Sequence, residues 1–188
     1  MSKKELFMLI DLVPTEMYIT KPHLTFDEYT DEYIKYVKEN LETIEKTLSF
    51  CKENGIYTYR LNYINDRIDA DSMPCDKRDN EVSRNFKFDY WWNNGCDGSQ
   101  KPNFSEFSKI YYAGASFDEC VTRTRNESYM NLNHDNKVLV LDCCIQEIEN
   151  TRHHHPQRSN WQHGDDIRKY ARDFCSQNKI KYVDSLIS

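Results

Sequence analysis

The fold is decided by one stretch of the chain, Lys109-Ile-Tyr-Tyr-Ala-Gly-Ala-Ser-Phe-Asp-Glu-Cys-Val-Thr-Arg-Thr124, in which an apolar segment runs through a glycine into a cysteine. The segment Ile110 to Ala113 is typical of a buried strand, and Gly114 permits a tight reversal of the backbone. The residues from Phe117 onward are compatible with a helix. Cys120 therefore lies near a predicted helix N-terminus, where the helix dipole favours a thiolate and free amides stabilise a developing oxyanion.

Two other apolar runs are predicted to be buried strands. Leu6 to Ile10 is a continuous apolar run that ends at Asp11, and the run Lys137 to Leu141 ends at Asp142. Apolar runs without alternation are typical of strands that are covered on both faces. Shorter strands are predicted over 56–61 and 180–183.

Helices are predicted between these strands. The sequence Thr25-Phe-Asp-Glu28 has the spacing of a capping box, and Asn54-Gly55 supplies a helix stop. A later helix is predicted over about 165–177. Because strands alternate with helices, the chain is predicted to be a single α/β domain over 1–188 with a mostly parallel sheet. The apolar stripe of the first helix consists of Tyr33, Val37, Leu41, Ile44, Leu48 and Cys51.

Composition excludes several function classes. The chain has 188 residues, a formal net charge of −6 and no long apolar segment, which argues against nucleic acid or an anionic membrane as the partner. The N-terminal apolar run is too short for a signal peptide, so a cytoplasmic protein is expected. Seven cysteines without CxxC spacing indicate neither a disulfide framework nor a cysteine-based zinc site.

The segment of about 65–103 is rich in Asp, Asn, Ser, Arg, Pro and Gly, and it predicts long loops around one aromatic strand. A segment of this kind inside a compact domain is often a lid or a binding loop. A lineage-specific insertion explains it equally well.

Asp11 and Cys120 are the candidate catalytic pair. Ligands bind outside the carboxyl ends of the strands in such a sheet, and both residues follow strand ends. A cysteine nucleophile needs a group that takes its proton, which a carboxylate is able to do. Taken singly, Asp11 is more often a strand-end cap and Cys120 a buried helix cysteine.

These residues carry a family resemblance. Leu6-Phe-Met-Leu-Ile-Asp11 resembles the first strand of the isochorismatase-like cysteine hydrolases, which ends in the catalytic aspartate. Gly114, Cys120, Val121 and Thr124 match the nucleophile motif of that family. The resemblance implies a three-layer α/β/α fold with a six-stranded, mostly parallel sheet. It also implies an Asp-Lys-Cys triad that hydrolyses a small molecule through a thioester.

The resemblance implies roles for three further positions. Oxyanion-hole amides fall on Ser116 and Cys120, with a cis peptide bond between Ala115 and Ser116. The family lysine ends the third strand and is expected at Lys87, among the strand-like residues from Phe86 to Tyr90. Lys77 and Lys101 are the competitors, and a surface lysine on an edge strand is the plain alternative for Lys87.

No cofactor is expected. The nicotinamidase branch of the family holds a metal through an aspartate and histidines after the second strand, whereas this chain has no histidine between Ile56 and Cys120. Asp66, Asp69 and Asp71 are more readily explained as a solvated acidic loop than as a cation site. No metal site is therefore expected.

Substrate contacts are expected from aromatic and cationic side chains. Tyr90, Trp91 and Trp92 are candidates for an aromatic substrate wall, with packing on the sheet as the alternative. His153, in the His153-His-His155 run, is a candidate for binding an anionic substrate, and chance loop composition is the alternative.

Three functions remain open at this stage. The first is a metal-independent cysteine hydrolase that cleaves a small amide-type C–N bond. The second is vinyl ether hydrolysis of the isochorismatase type, and the third is an idle relative that serves as a binding protein. The family commonly forms dimers or tetramers, so a homo-oligomer is a further expectation.

Overall fold

A computed structural model of the chain describes residues 4–10, 31–63, 91–94, 104–126, 133–146 and 164–187. These residues form a six-stranded sheet in which every neighbouring pair is parallel. In chain order the strands are β1 (Lys4–Ile10), β2 (Tyr57–Tyr63), β3 (Trp91–Asn94), β4 (Phe107–Ala115), β5 (Lys137–Ile145) and β6 (Tyr182–Val183). In space their order is β3-β2-β1-β4-β5-β6. The predicted α/β fold with a parallel sheet is confirmed.

Helices cover both faces of this sheet. They are α1 (Asp31–Glu53), a π-helical turn (Phe117–Val121) that continues into α2 (Thr122–Asn126), and α3 (Gly164–Gln177). Thr47 of α1 contacts the Cys143 thiol of β5, whereas Cys175 of α3 lies near Cys144. α1 and α3 also contact each other, because Arg168 Nη2 of α3 lies 2.9 Å from Glu39 Oε2 of α1.

The core is centred on β1, β4 and β5. All five residues from Leu6 to Ile10 are at most 1% exposed, as expected for a strand covered on both faces. Five residues of the predicted α1 stripe are buried and Leu48 is half-buried, so the periodicity identified the inward face of this helix. No helix among the described residues is long and apolar enough to cross a membrane.

The prediction that Asp142 closes its strand is wrong, because β5 continues to Ile145. The strand pairs with β4 up to Leu139 and resumes pairing at Cys144, with a register shift between. Within this irregular part the main-chain N–H of Asp142 donates to Asp184 O beyond β6. Partial burial and the nearby Asp184 raise the pKa of the Asp142 carboxyl, while Arg168 and Arg172 oppose that rise. Asp142 therefore lies inside β5, with its carboxyl near α3.

Candidate active site

The chain turns sharply where β4 ends. A cis peptide bond joins Ala115 to Ser116, at the position that the family resemblance implied. Ser116 is the N-cap of the π turn, with extended backbone angles of φ −84° and ψ 136°. Cys120 lies within this turn and is half-buried, whereas Phe117 and Val121 on either side of it are buried. The strand, turn and helix predicted around Cys120 are thus present.

Short hydrogen bonds hold the turn in shape. The carbonyl of Ser116 accepts the N–H groups of Glu119 and Val121, each at 3.2 Å. The Thr122 hydroxyl donates to Phe117 O at 2.8 Å, and the Thr124 hydroxyl donates to Cys120 O at 2.7 Å. The π geometry was not anticipated from the sequence, which predicts only an ordinary helix. Single π turns inside helices occur frequently at functional sites.

The π turn is also fixed from the α3 side. The Phe117 ring makes edge-on contacts with Tyr170 and Phe174, at centroid distances of 6.1 Å and 5.2 Å. The Tyr170 hydroxyl donates to Asp118 Oδ2 at 3.0 Å. These contacts tie the segment that carries Cys120 to the helix packed beside it.

Backbone register brings the end of β1 to the same place. Ile10, the last residue of β1, pairs with Gly114, two residues before Ser116. A Cβ on Gly114 would lie 2.6 Å from Ile10 N and 2.8 Å from Ile10 C, and closer still to its carbonyl oxygen. Only a residue without a side chain fits between these strands. Asp11, which follows Ile10 in the chain, lies outside the described residues.

Several predicted site residues cannot be placed in this geometry. Lys87, Tyr90 and His153 lie outside the described residues, and for Trp91 and Trp92 only the backbone at the start of β3 is described. Their proposed roles stay predictions. The described β3 begins after Lys87, whereas Lys101 follows the end of that strand. Lys87 thus precedes the described strand that the resemblance expected it to end, and the assignment of the triad lysine to Lys87, Lys77 or Lys101 stays a prediction.

Cys120 differs from the other described cysteines in its surroundings. Burial raises the pKa of the Cys51, Cys143 and Cys175 thiols to about 12 in each case, and it also raises that of Cys144. These four are buried, whereas Cys120 is half-buried. A thiol with so high a pKa is protonated at neutral pH and is a poor nucleophile. Within the described part of the chain, Cys120 is the cysteine suited to attack.

A buried polar cluster at the end of β5 was missed by sequence analysis. Gln146 follows β5 directly and is 1% exposed, and its side-chain Nε2 donates to Ser116 Oγ at 3.1 Å. The Tyr33 hydroxyl of α1 donates to Gln146 O at 3.0 Å, and the Gln146 N–H donates to the Tyr36 hydroxyl at 3.3 Å. Nothing in the local sequence around Gln146 indicates this contact, because it depends on strand register.

The described residues contain no group of three or more His, Cys, Asp or Glu side chains that could hold a metal ion. The acidic residues Asp66, Asp69 and Asp71 and the run His153-His-His155 lie outside the described part.

No family model and no curated protein matches the sequence. Solved structures that match its fold include three hydrolases. The pyrazinamidase/nicotinamidase from Streptococcus mutans UA159 is similar with a TM-score of 0.53 and 10% identity, over 96% of this chain and 100% of that chain. The N-carbamoylsarcosine amidase from Thermoplasma acidophilum is similar with a TM-score of 0.54 and 12% identity, over 98% of this chain and 99% of that chain.

The third structure is a cysteine hydrolase from Pseudomonas syringae pv. phaseolicola 1448A. Its TM-score is 0.53 at 10% identity, over 95% of this chain and 87% of that chain. At such identities the similarity shows the fold. The chain has the fold of the isochorismatase-like cysteine hydrolases, as the motif around Cys120 implied.

Proposed function

We propose that this protein is a metal-independent cysteine hydrolase that cleaves a small amide-type C–N bond. The observation that carries the proposal is the position of Cys120, half-buried in a π turn at the carboxyl end of β4. The last residue of β1 pairs with Gly114 at that same edge, and Asp11 is the next residue along the chain. This is the edge at which parallel α/β sheets bind ligands.

The proposed reaction has two steps. Asp11 accepts the thiol proton of Cys120, and the thiolate attacks the carbonyl carbon of the substrate. The C–N bond breaks, the amine leaves with the proton from Asp11, and a thioester remains. Water then adds to the thioester, the acid product leaves, and the thiol is restored. Backbone amides of Ser116 and Cys120 would stabilise the oxyanion in both steps.

A lysine completes the proposed triad. Its ammonium would stabilise the ionised Asp11 and the charge that develops on the substrate. Lys87 is the position implied by the family resemblance, and Lys101 is the competitor that follows β3.

The names of the similar structures support cleavage of an amide-type C–N bond. Two of the three are amidases by name, and the third is a cysteine hydrolase. A nicotinamide substrate is disfavoured, since the chain has no histidine between Ile56 and Cys120 from which the metal site of that branch could be built.

Ammonia release from a panel of small primary amides and ureas tests the proposal. We expect turnover with the wild-type protein and its loss in Cys120→Ala, because the nucleophile is gone. Cys175→Ala is the matched control, since it also removes a cysteine thiol, one that is fully buried in the core and lies on α3. Retained ammonia release in Cys120→Ala would contradict the proposal. Full turnover of isochorismate by that variant would instead support the vinyl ether reaction.

Alkylation tests the nucleophile without a substrate. At pH 6 iodoacetamide should modify Cys120 at least ~10-fold faster than Cys51 or Cys175, because only a thiolate reacts and burial holds those two thiols protonated. Peptide mass mapping gives the rate at each site. Equal rates at the three thiols would show that Cys120 is not activated, and together with no ammonia release would support the idle relative.

A further inference from the structure

The two strands that meet at the candidate site end side by side. Ala115, the last residue of β4, pairs with Ile145, the last residue of β5. Ser116 and Gln146 are therefore the first residues beyond the sheet on two adjacent strands. Their side chains join through the 3.1 Å hydrogen bond from Gln146 Nε2 to Ser116 Oγ.

This bond replaces the hydrogen bond that the side chain of an N-cap serine usually makes. An N-cap serine commonly uses its hydroxyl to accept an N–H from the first turn of the helix it precedes. Ser116 occupies the N-cap position and makes no such side-chain bond. Its Oγ accepts the Gln146 amide instead, and both residues are buried, at 3% and 1% exposure. The Ser116 side chain is thus held by Gln146, at the end of β5, whereas its carbonyl is bonded into the π turn.

Gln146 is itself held in place by α1. Two tyrosines that are each 4% exposed bond to its main chain, Tyr33 to the carbonyl and Tyr36 to the N–H. The Tyr36 hydroxyl also donates to Cys144 O at 3.1 Å. Because both main-chain groups of Gln146 are fixed, its side-chain amide presents a donor at a defined position beside Ser116.

Ser116 is also bonded to the π turn through its main chain. Its carbonyl accepts the N–H groups of Glu119 and Val121, the residues on either side of Cys120. Its own amide is one of the two proposed oxyanion donors. A rotation of Ser116 would therefore move the thiol and the oxyanion site together.

We propose that Gln146 is a positioning residue that holds Ser116, and through it the Cys120 turn and the oxyanion amides, in reactive geometry. This role deepens the proposed function and rests on it for its effect on turnover. Its effect on the reactivity of the Cys120 thiol needs no substrate.

Gln146→Met tests the proposal, because methionine nearly preserves the volume and removes the donor. With the amide that the wild-type protein hydrolyses fastest, we expect kcat to fall about 10-fold or more and KM to change less than about twofold, since misplaced oxyanion donors weaken binding of the transition state rather than of the substrate. Alkylation of Cys120 by iodoacetamide at pH 7 should be at least about threefold slower, with its pH–rate midpoint displaced upward.

Thr47→Val is the matched control. It removes a buried side-chain contact between α1 and β5, the 3.3 Å approach of Thr47 Oγ1 to Cys143 Sγ, at a position that does not touch Ser116. We expect lower thermal stability with kcat and the Cys120 alkylation profile unchanged. If Thr47→Val lowers kcat and slows Cys120 alkylation as much as Gln146→Met does, the effect is one of general stability and the proposal is overturned.

A double-mutant cycle with Ser116→Ala shows whether Gln146 acts through Ser116. We expect each single variant to slow Cys120 alkylation and the double variant to be no slower than the slower single variant, because both changes break one bond. Additive losses would refute the positioning role. If no amide is hydrolysed by the wild-type protein, the proposed function fails, whereas the alkylation cycle still decides the role of Gln146.

Discussion

We expect Gly114→Ala to destabilise this protein strongly, although the substitution adds only one methyl group. Gly114 has φ +117°, a backbone conformation that residues with a Cβ rarely adopt. The added methyl would also lie 2.6 Å from Ile10 N and 2.8 Å from Ile10 C. These atoms belong to the backbone of the central strand, so no side-chain rotation relieves the overlap. β1 and β4 would have to separate at their carboxyl ends.

The size of the effect follows from two contributions. A positive φ without glycine costs ~1–2 kcal/mol, and forcing a methyl group into close-packed surroundings costs ~1–3 kcal/mol. Together they predict a loss of about 2–5 kcal/mol of unfolding free energy. For a chain of this size each kcal/mol lowers Tm by about 2–4 °C, so a decrease of about 10 °C is expected.

Gly55→Ala separates the two contributions. Gly55 follows α1 with φ +68°, and a Cβ there would meet nothing within 4 Å. This control should lose only ~1 kcal/mol, the cost of the positive φ. Urea unfolding of the two variants measures the difference, which we expect to be at least about 1 kcal/mol. A difference below about 0.5 kcal/mol would refute the argument that the β1–β4 approach excludes a side chain.

Two further predictions concern charge. Lys87→Ala and Lys101→Ala, compared by kcat for ammonia release, should differ by at least ~10-fold, because only the triad lysine stabilises charge in the transition state; equal small losses in both would exclude a triad role for either. Asp142→Asn should raise the unfolding free energy at pH 7 more than at pH 3. The raised pKa of Asp142 makes its stability contribution fall as pH rises from the ordinary carboxyl pKa through the folded one. An equal effect at both pH values would show that the fold does not raise the pKa of the Asp142 carboxyl.

Patterns that reflect burial along a single element were predictable from the sequence. The apolar run Leu6 to Ile10 and the three-and-four spacing from Tyr33 to Cys51 both identified elements that are buried as expected. The same holds for the strand, glycine and helix around Cys120. In each case one hydrophobic period fixes both the element and the face that it buries.

Features that depend on neighbouring elements were not predictable. An acid commonly ends a buried strand, yet Asp142 is accommodated inside β5, where the strand leaves its pairing with β4 and its main chain bonds to Asp184. The role of Gln146 depends on the strand order and register that place it beside Ser116. A single sequence carries no record of either arrangement, because both depend on which strands become neighbours.

The π turn was predictable only in part. Its sequence allows an α-helix, and the Thr122 hydroxyl that bonds to Phe117 O has no counterpart in a hydrophobic pattern. The rings of Tyr170 and Phe174 from α3 fix Phe117 at the start of the turn. Such tertiary contacts override local helix preference, and they also explain why the helix start was predicted while its geometry was not.

The position of β1 between β2 and β4 has a consequence for how the chain folds. The first pair of the β1–β4 ladder joins Lys4 to Phe107, so this central pairing closes a loop of about one hundred residues. Parallel pairing at such a separation forms slowly, since its loop-closure entropy is lost before the contacts are gained. Until β4 is in place, the apolar run of β1 lacks one of its two partner strands. We therefore expect the candidate site, built where these two strands end, to be completed late in folding.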